Sequence, residues 1–155
     1  MMVLPRDLYY EVIAHAQREA PAECCGVISG AYDGVATRVL PARNVAPNPE
    51  YAYLMHSADQ WTLTAEMAEA SEIILAIYHS HPHSAAYPSP SDIALAAYPD
   101  VVYLIVGLTM DPPEVNAYYI RGGIVTLADV ELPERRAHRR VYDWADHLSD
   151  DRRVT

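Results

Sequence analysis

The sequence predicts one α/β (α+β) domain in which a mixed β-sheet lies between helices. Three observations lead to this fold class: the chain has 155 residues, 51% of them are hydrophobic, and helical and strand-like patterns alternate along it. A chain of this length forms one ordinary domain and can bury a core of its own. The composition is typical of globular proteins and excludes disordered and fibrous classes.

The first half of the chain alternates helical, hairpin and loop patterns. Pro21 ends the first helix, Asp33-Gly34 is a hairpin turn signal, and Ser57 with Gln60 forms a capping-box pattern. We expect Trp61, Ala65 and Ala68 to face inward on the second helix. The predicted elements are a helix over 6–20, strands over 25–29 and 35–40, a loop over 41–49, a candidate strand over 51–55 and a helix over 57–72.

The second half adds two central strands, a hairpin and a charged terminal helix. The continuous apolar runs predict strands that are covered on both faces. Proline at the first helical position supports a short helix that opens after Ser89. The predicted elements are a strand over 73–78, a loop over 79–90, a helix to about Tyr98, a strand over 101–107, a hairpin of 116–121 and 124–127, and a helix over 134–148.

Charge is distributed unevenly along the chain. There are 21 acidic residues and 11 basic residues, all arginine, so the formal net charge is -10. Six acids and six arginines cancel in residues 131–155, so the excess lies in residues 1–130. This balance disfavours nucleic-acid binding, which needs a face that neutralises phosphates. Solubility explains the excess, and a partner with a basic surface is the functional alternative.

Cysteine use and the N-terminus bear on the compartment. Cys24 and Cys25 are adjacent, and neighbouring residues rarely form an unstrained disulfide. The sequence therefore favours a reducing compartment. No long apolar stretch follows Met1 or spans 18 residues elsewhere. We expect a cytoplasmic protein with no membrane partner.

The most informative stretch is His79-Ser80-His81-Pro82, followed after a loop by Asp92. Alternate residues at the end of a strand point to one face, so His79 and His81 can converge on one point. Asp92 lies near the start of a helix and can supply a third ligand. Two imidazoles and a carboxylate leave the fourth zinc position for water, which is the arrangement of a catalytic site.

Each of these residues also has an ordinary structural interpretation. An isolated His-x-His is weak evidence, and Ser89 with Asp92 has the spacing of a simple capping box. Ser80 is best interpreted as a spacer and His83 as a surface histidine of the loop. Only the joint spacing favours a metal site.

That spacing resembles the signature of the JAMM (MPN+) metallopeptidases, an upstream glutamate followed by His-x-His-Pro, a loop and Pro-Ser-x-x-Asp. Here the signature reads Glu23, then His79 to Pro82, then Pro88-Ser89-Pro90-Ser91-Asp92. The context Pro21-Ala22-Glu23-Cys24-Cys25-Gly26 is also similar to that family. The resemblance runs to about residue 127 and is nearest to the compact bacterial Mec-type members.

The resemblance implies a single JAMM/MPN-like domain over 1–130, with the cytidine-deaminase-like architecture. The arginine-rich helix from Glu134 onward departs from the family, and we expect residues 131–155 to be a charged helical extension packed on the same domain. Self-association through this extension, giving a homodimer, is the alternative.

The resemblance also implies site roles and partners. His79, His81 and Asp92 would hold one Zn²⁺ per chain, Glu23 would act as general base and acid, and Ser89 would donate to the oxyanion. The substrate would be a small ubiquitin-like sulfur-carrier protein ending in Gly-Gly. The enzyme would hydrolyse the peptide or isopeptide bond after that tail, for example releasing cysteine or a C-terminal extension.

Two other function classes are considered. A non-catalytic carrier-binding or scaffold module on the same fold would lack metal ligands, and none is missing here. A different His-x-His metalloenzyme is disfavoured, because a cupin-type site needs a glutamate near Ala85 and a zinc deaminase needs Cys-x-x-Cys. The substrate groove is not readable from the sequence, and residues 51–55 are a candidate edge for it.

Overall fold

The structure is a computed structural model that describes residues 1–133. Within this part of the chain, eight strands and three helices follow one another. They are β1 (Met2–Val3), α1 (Arg6–Glu19), β2 (Cys25–Gly30), β3 (Ala36–Ala42), α2 (Ser57–Glu69), β4 (Ile73–His81), α3 (Pro90–Leu95), β5 (Val102–Gly107), β6 (Glu114–Arg121), β7 (Ile124–Leu127) and β8 (Val130–Glu131). The helix predicted over 134–148 and the extension over 131–155 lie largely outside the described residues.

Six strands form one mixed sheet in the order β3-β2-β4-β5-β6-β7. The pair β4–β5 is parallel, and every other neighbouring pair in this sheet is antiparallel. The connection between the two parallel strands runs through the loop after β4 and through α3. The predicted fold class, a mixed sheet flanked by helices, is confirmed.

The two faces of the sheet bury different helices. Leu8, Val12 and Ala16 of α1 pack in a cluster with Ile28 and Tyr78. On the opposite face of the sheet, α2 and α3 pack against strand side chains that alternate in sequence with the ones facing α1. This second cluster contains Cys25, Val27, Ile77 and Tyr103 of the sheet together with Leu63 and Met67 of α2. Both central strands are thus covered on both sides, as their apolar runs predict.

The inward face predicted for α2 is wrong. Trp61 is 81% exposed, and Ala65 and Ala68 are exposed as well. Leu63 and Met67 are the residues of α2 that meet the sheet. The helix also begins differently, because the side chain of His56 caps it by accepting a hydrogen bond from the Ala58 amide.

Several other boundaries differ from the prediction, since α2 ends at Glu69, β3 covers Ala36–Ala42 and β6 begins at Glu114. β4 continues through His81, because its pairing with β5 extends to Gly107. Residues 51–55 form no strand, and only Met55 makes an isolated bridge with Asn44. α3 ends at Leu95, three residues earlier than predicted. The small parallel pair β1–β8 has no signal in the sequence, since each strand is two residues long.

No helix within residues 1–133 is both long and apolar enough to cross a membrane.

Glu72 joins α2, β2 and β3 at the end of the sheet remote from the histidines. Its carboxylate accepts hydrogen bonds from the Ser29 and Thr37 hydroxyls and from the Arg38 guanidinium. The hydrogen bond from the Thr37 hydroxyl has the largest effect on the pKa of Glu72, and the bond from Arg38 has the next largest. Together they lower this pKa to about 2. A carboxylate with donors on both oxygens stabilises the folded state only while it is ionised.

Replacing Glu72 by glutamine is expected to lower the free energy of unfolding by about 2 kcal/mol at pH 7, since each hydrogen bond to a charged acceptor contributes about 1.5–3 kcal/mol. The folded-state pKa lies below the ordinary 4.5, so the contribution is present above pH 4.5 and is lost as the pH falls toward 2. Urea denaturation of wild type and Glu72→Gln across this range measures the difference. Glu69→Gln, an exposed change on α2, is the matched control, and a gap that stays constant with pH contradicts the interpretation.

Candidate metal and catalytic site

The C-terminal end of β4 places two histidines on the face that carries α2 and α3. His79 pairs in register with Cys25 on one side and with Ile105 on the other. His79 and His81 are 1% and 4% exposed, and their Nε2 atoms lie 3.1 Å apart. The intervening Ser80 points the other way and accepts a hydrogen bond from the Cys24 amide at 2.8 Å. Ser80 is therefore more than a spacer, because it joins β4 to the start of β2.

Asp92 approaches the same point from the first turn of α3. Ser89 and Asp92 form a complete capping box: the Ser89 hydroxyl accepts from the Asp92 amide, and Asp92 Oδ2 accepts from the Ser89 amide at 2.8 Å. The same Oδ2 lies 3.1 Å from Nε2 of both His79 and His81. Helix capping thus aims this carboxylate at the two imidazoles.

The triad has the dimensions of a tetrahedral metal site. Its ligand atoms all lie within 4.8 Å of one another, and it is the one such group among residues 1–133. Zinc bonds of about 2.0–2.1 Å in a tetrahedron place neighbouring ligand atoms about 3.3 Å apart. The three observed edges of 3.1 Å are close to that value. The donor set of two imidazoles and one carboxylate fits zinc with one position left for solvent or substrate.

The hydrogen-bonding roles of the two histidines also favour a bound cation at this point. His81 Nδ1 lies 2.8 Å from the Ala85 carbonyl, which can only accept. A neutral His81 that donates there directs its Nε2 lone pair at Asp92, which is stable only with a cation or a proton between them. Burial lowers the pKa of His79. Burial also acts to lower the pKa of His81, but the hydrogen bonds with Asp92 and Ala85 outweigh it and raise the pKa.

Asp92 is held as an anion. Burial alone would raise its pKa, but hydrogen bonds with His79 and His81 hold the pKa well below its ordinary value. A carboxylate with a lowered pKa between two imidazoles is a strong ligand set for a divalent cation.

Glu23 lies just before β2, beside this triad. It is 5% exposed, and burial raises its pKa to about 7, while the charges of His81 and Asp92 act on it in opposite directions. Glu23 is not part of the group of candidate ligands. A buried carboxyl of this kind can take up and release a proton near neutral pH, as a general base and acid must.

The loop after β4 is held by residues that the sequence patterns do not single out. The Ala86 carbonyl accepts hydrogen bonds from the Tyr118 hydroxyl at 2.6 Å and from the Asn116 side chain at 3.2 Å. These bonds hold the neighbouring Ala85 carbonyl, which in turn orients His81. Gly107 lets the loop approach β5, since a Cβ there would lie 2.9 Å from the Ala86 nitrogen. The contacts that Ala86 makes with Tyr118, Asn116 and Gly107 are remote in sequence, which is why no motif indicates them.

The segment predicted as a candidate groove edge packs beside the triad. The Tyr53 ring stacks on His79 with 4.5 Å between ring centroids. A mainly apolar cavity of about 280 Å³ adjoins Asp92 and is lined by Tyr53, Met55, Leu95 and other side chains. His83 is exposed, as predicted, and lies 3.2 Å from Glu50. Of the five predicted site residues, Asp92 lines this cavity, whereas Glu23 lines a second cavity of about 540 Å³ together with Asn44. Ser89 is the N-cap of α3.

The sequence matches a known protein family. The model of the prokaryotic homologues of the JAB domain matches residues 5–121. The chain belongs to this family. The match covers all of the strands and helices that build the site.

The chain is also similar to curated relatives. The chain is 36% identical to the CysO-cysteine peptidase of Mycobacterium tuberculosis over 138 residues, covering 87% of this chain and 93% of the relative. It is 39% identical over 107 residues to a probable TtuB-protein conjugate cleaving protease of Thermus thermophilus, covering 69% and 70%.

Solved structures share the fold. The solution structure of DSY2949 from Desulfitobacterium hafniense has a TM-score of 0.79 at 31% identity and covers 89% of this chain and 97% of its own. A structure described as "JAMM: A Metalloprotease-like Zinc Site in the Proteasome and Signalosome" has a TM-score of 0.57 at 18% identity, covering 86% and 99%. The second likeness bears on the fold alone.

Replacing Tyr118 by phenylalanine removes one of the two hydrogen bonds that hold the Ala86 carbonyl. We expect the free energy of unfolding to fall by about 1 kcal/mol, the usual contribution of a buried hydrogen bond. Thermal or urea denaturation measures it. Tyr119→Phe serves as the control, because it removes a hydroxyl from the adjacent residue. The Tyr119 ring, over which the Arg121 guanidinium lies, is kept in this variant. Equal effects of the two changes would show that the loop does not depend on Tyr118.

Proposed function

We propose that this chain is a zinc-dependent hydrolase that cleaves the peptide or isopeptide bond after the C-terminal Gly-Gly of a small ubiquitin-like sulfur-carrier protein. Release of cysteine or of a C-terminal extension from the carrier would be one such reaction. The proposal agrees with the names of the relatives, a CysO-cysteine peptidase and a protease of TtuB-protein conjugates.

The observation that carries the proposal is the convergence of a complete ligand set beside a buried carboxyl. His79, His81 and Asp92 supply two nitrogens and an oxygen about one point, and Glu23 lies next to them without being a candidate ligand. A scaffold of the same fold needs neither the ligands nor the carboxyl. Burying one carboxyl beside another is costly, and catalysis gives a reason to retain it.

The division of chemical work follows from the side chains. Zinc, when bound by the triad, supplies Lewis acidity that polarises a carbonyl and acidifies water. Glu23 would take the proton of the attacking water and return it to the nitrogen of the leaving group. That transfer balances the reaction, since the water oxygen joins the glycine carbonyl carbon and the amine leaves neutral.

Ser89 has a second task in this scheme. Its oxygen accepts from the Asp92 amide, which leaves its O–H free to donate. The Ser91 hydroxyl lies 3.2 Å away and competes for that donor. We propose that Ser89 donates to the developing oxyanion, an interaction typically worth about 3 kcal/mol. The cavity beside Asp92 would accept an extended, side-chain-free diglycine tail.

The experiment that tests this function uses the ubiquitin-like carrier encoded in the same genome. The carrier is prepared with a C-terminal cysteine, with a short peptide extension, and as a conjugate to a lysine side chain. Mass spectrometry of each reaction shows which bond is cut. Cleavage after Gly-Gly supports the proposal, whereas binding of the carrier without cleavage of any adduct favours a scaffold module.

Replacing Glu23 by glutamine is expected to leave zinc binding intact and to lower kcat about 10²–10⁴-fold, since the shape of the site survives while the base is lost. Metal analysis and steady-state kinetics on the carrier adduct measure both properties. Glu19→Gln, at a residue whose side chain is 52% exposed, is the matched control. Full turnover by Glu23→Gln would exclude Glu23 as the proton carrier.

Replacing Asp92 by asparagine is expected to weaken zinc binding more than about 100-fold, because the change removes the anionic ligand itself. Loss of a residue that only supports a ligand weakens metal binding by about 10–100-fold. Zinc should raise the melting temperature of the wild type and not of the variant. Asp100→Asn, at a residue whose side chain is 93% exposed, is the control. A variant that still binds one zinc per chain with wild-type affinity would contradict the assignment.

A further inference from the structure

Asn44, two residues after the end of β3, organises the loop beside the site with one half-buried side chain. Both ends of its amide are used. Its Nδ2 donates to the carbonyls of Glu23, Ala52 and Pro49 at 3.0, 2.9 and 3.4 Å, and its Oδ1 accepts from the amides of Ala46 and Leu54 at 3.0 Å each. Five contacts use all of the hydrogen-bonding capacity of a primary amide.

The first consequence concerns the backbone of Glu23. Glu23 lies two residues before β2, so the sheet ladder does not hold it. Its N–H donates to the Pro49 carbonyl at 2.7 Å, and its carbonyl accepts from Asn44. Both peptide groups of Glu23 are therefore fixed by the loop and by Asn44. The direction in which the Glu23 side chain leaves the backbone depends on these two bonds.

The second consequence concerns the aromatic ring over the histidine. Asn44 bonds Ala52 and Leu54, the residues on either side of Tyr53. Tyr53 stacks on His79 with an angle of 29° between the rings. The same amide thus sets the position of Glu23 and of the ring that covers one imidazole of the triad.

We propose that Asn44 is a positioning residue for hydrolysis, which sets the Glu23 carboxylate relative to His79, His81 and Asp92. It contacts none of these side chains and acts only through backbone groups. The inference rests on the proposed function, because it assumes that Glu23 transfers the proton. Only an amide fits this role, since the position needs two N–H donors and an acceptor on one short side chain.

The decisive variant is Asn44→Asp, which keeps the shape and one acceptor but turns an oxygen toward three carbonyls. We expect kcat of the zinc-loaded enzyme to fall about 10–100-fold, as small displacements of a catalytic group do, with KM changed less than about threefold. Zinc content should remain that of the wild type. Asn44→Ala removes the amide without adding charge and should act in the same direction.

A second readout does not depend on activity. Hydrogen exchange followed by NMR should show the Glu23 amide losing protection about 10-fold in Asn44→Asp, while the amides of β4 and β5 keep theirs. A general loss of stability would instead raise exchange throughout the sheet.

Two controls separate positioning from stability and charge. Asn48→Asp makes the same change in the same loop, at an exposed residue that serves the loop's hydrogen bonds through its carbonyl. Glu72→Gln lowers stability at the far end of the sheet. Both should keep the wild-type kcat.

Two results would overturn the positioning role: a wild-type kcat in Asn44→Asp, or unchanged protection of the Glu23 amide. An equal fall of kcat in Glu72→Gln would overturn it as well. Failure of the proposed function looks different, because the zinc-loaded wild type would then cleave no carrier adduct before any variant is compared.

Discussion

The register of β4 decides on which face of the sheet the two histidines of the site lie. Pairing of Cys25 with His79, and of His79 with Ile105, sends His79 and His81 to the face of α2 and α3. Tyr78 and Ser80 turn to the face of α1. A shift of one residue would exchange these two sets and would place a buried tyrosine where the imidazoles now converge. The apolar clusters on both faces resist that shift, so the core itself secures the geometry of the site.

Around this strand, the site is supported by carbonyl oxygens more than by ion pairs. The Ala85 carbonyl orients His81, the Ala86 carbonyl anchors the loop on Tyr118, and the Glu23 carbonyl binds the Asn44 amide. Such bonds are insensitive to ionic strength and fix backbone position directly. The charged groups are concentrated at the ligands themselves, where burial keeps them from being screened by salt.

Local sequence signals predicted the central part of the site, and remote contacts account for what they missed. His79, His81 and Asp92 are close in sequence, and two local rules bring them together: strand alternation and helix capping. The capping-box interpretation of Ser89 and Asp92 is confirmed, and the same cap aims the Asp92 carboxylate at the two imidazoles. Asn44 and Tyr118 could not be found this way, because their partners are carbonyls of loops whose paths depend on the completed fold. The face of α2 was wrongly predicted because the large apolar side chain of Trp61 was assigned to the buried face. That side chain is exposed, and Leu63 and Met67 are buried instead.

The capping box of α3 has a consequence for the exchange of any ion bound by the triad. α3 has only six residues, none of them fully buried, and it packs on the core through Ile93, so its cap is a large part of what holds it in place. One oxygen, Asp92 Oδ2, serves both the cap and the ligand cluster. Fraying of this single helical turn would remove one ligand while the two on β4 stay rigid. An ion would therefore leave and enter through opening of α3, and the rate of that local unfolding, not the affinity, would limit how fast metals exchange.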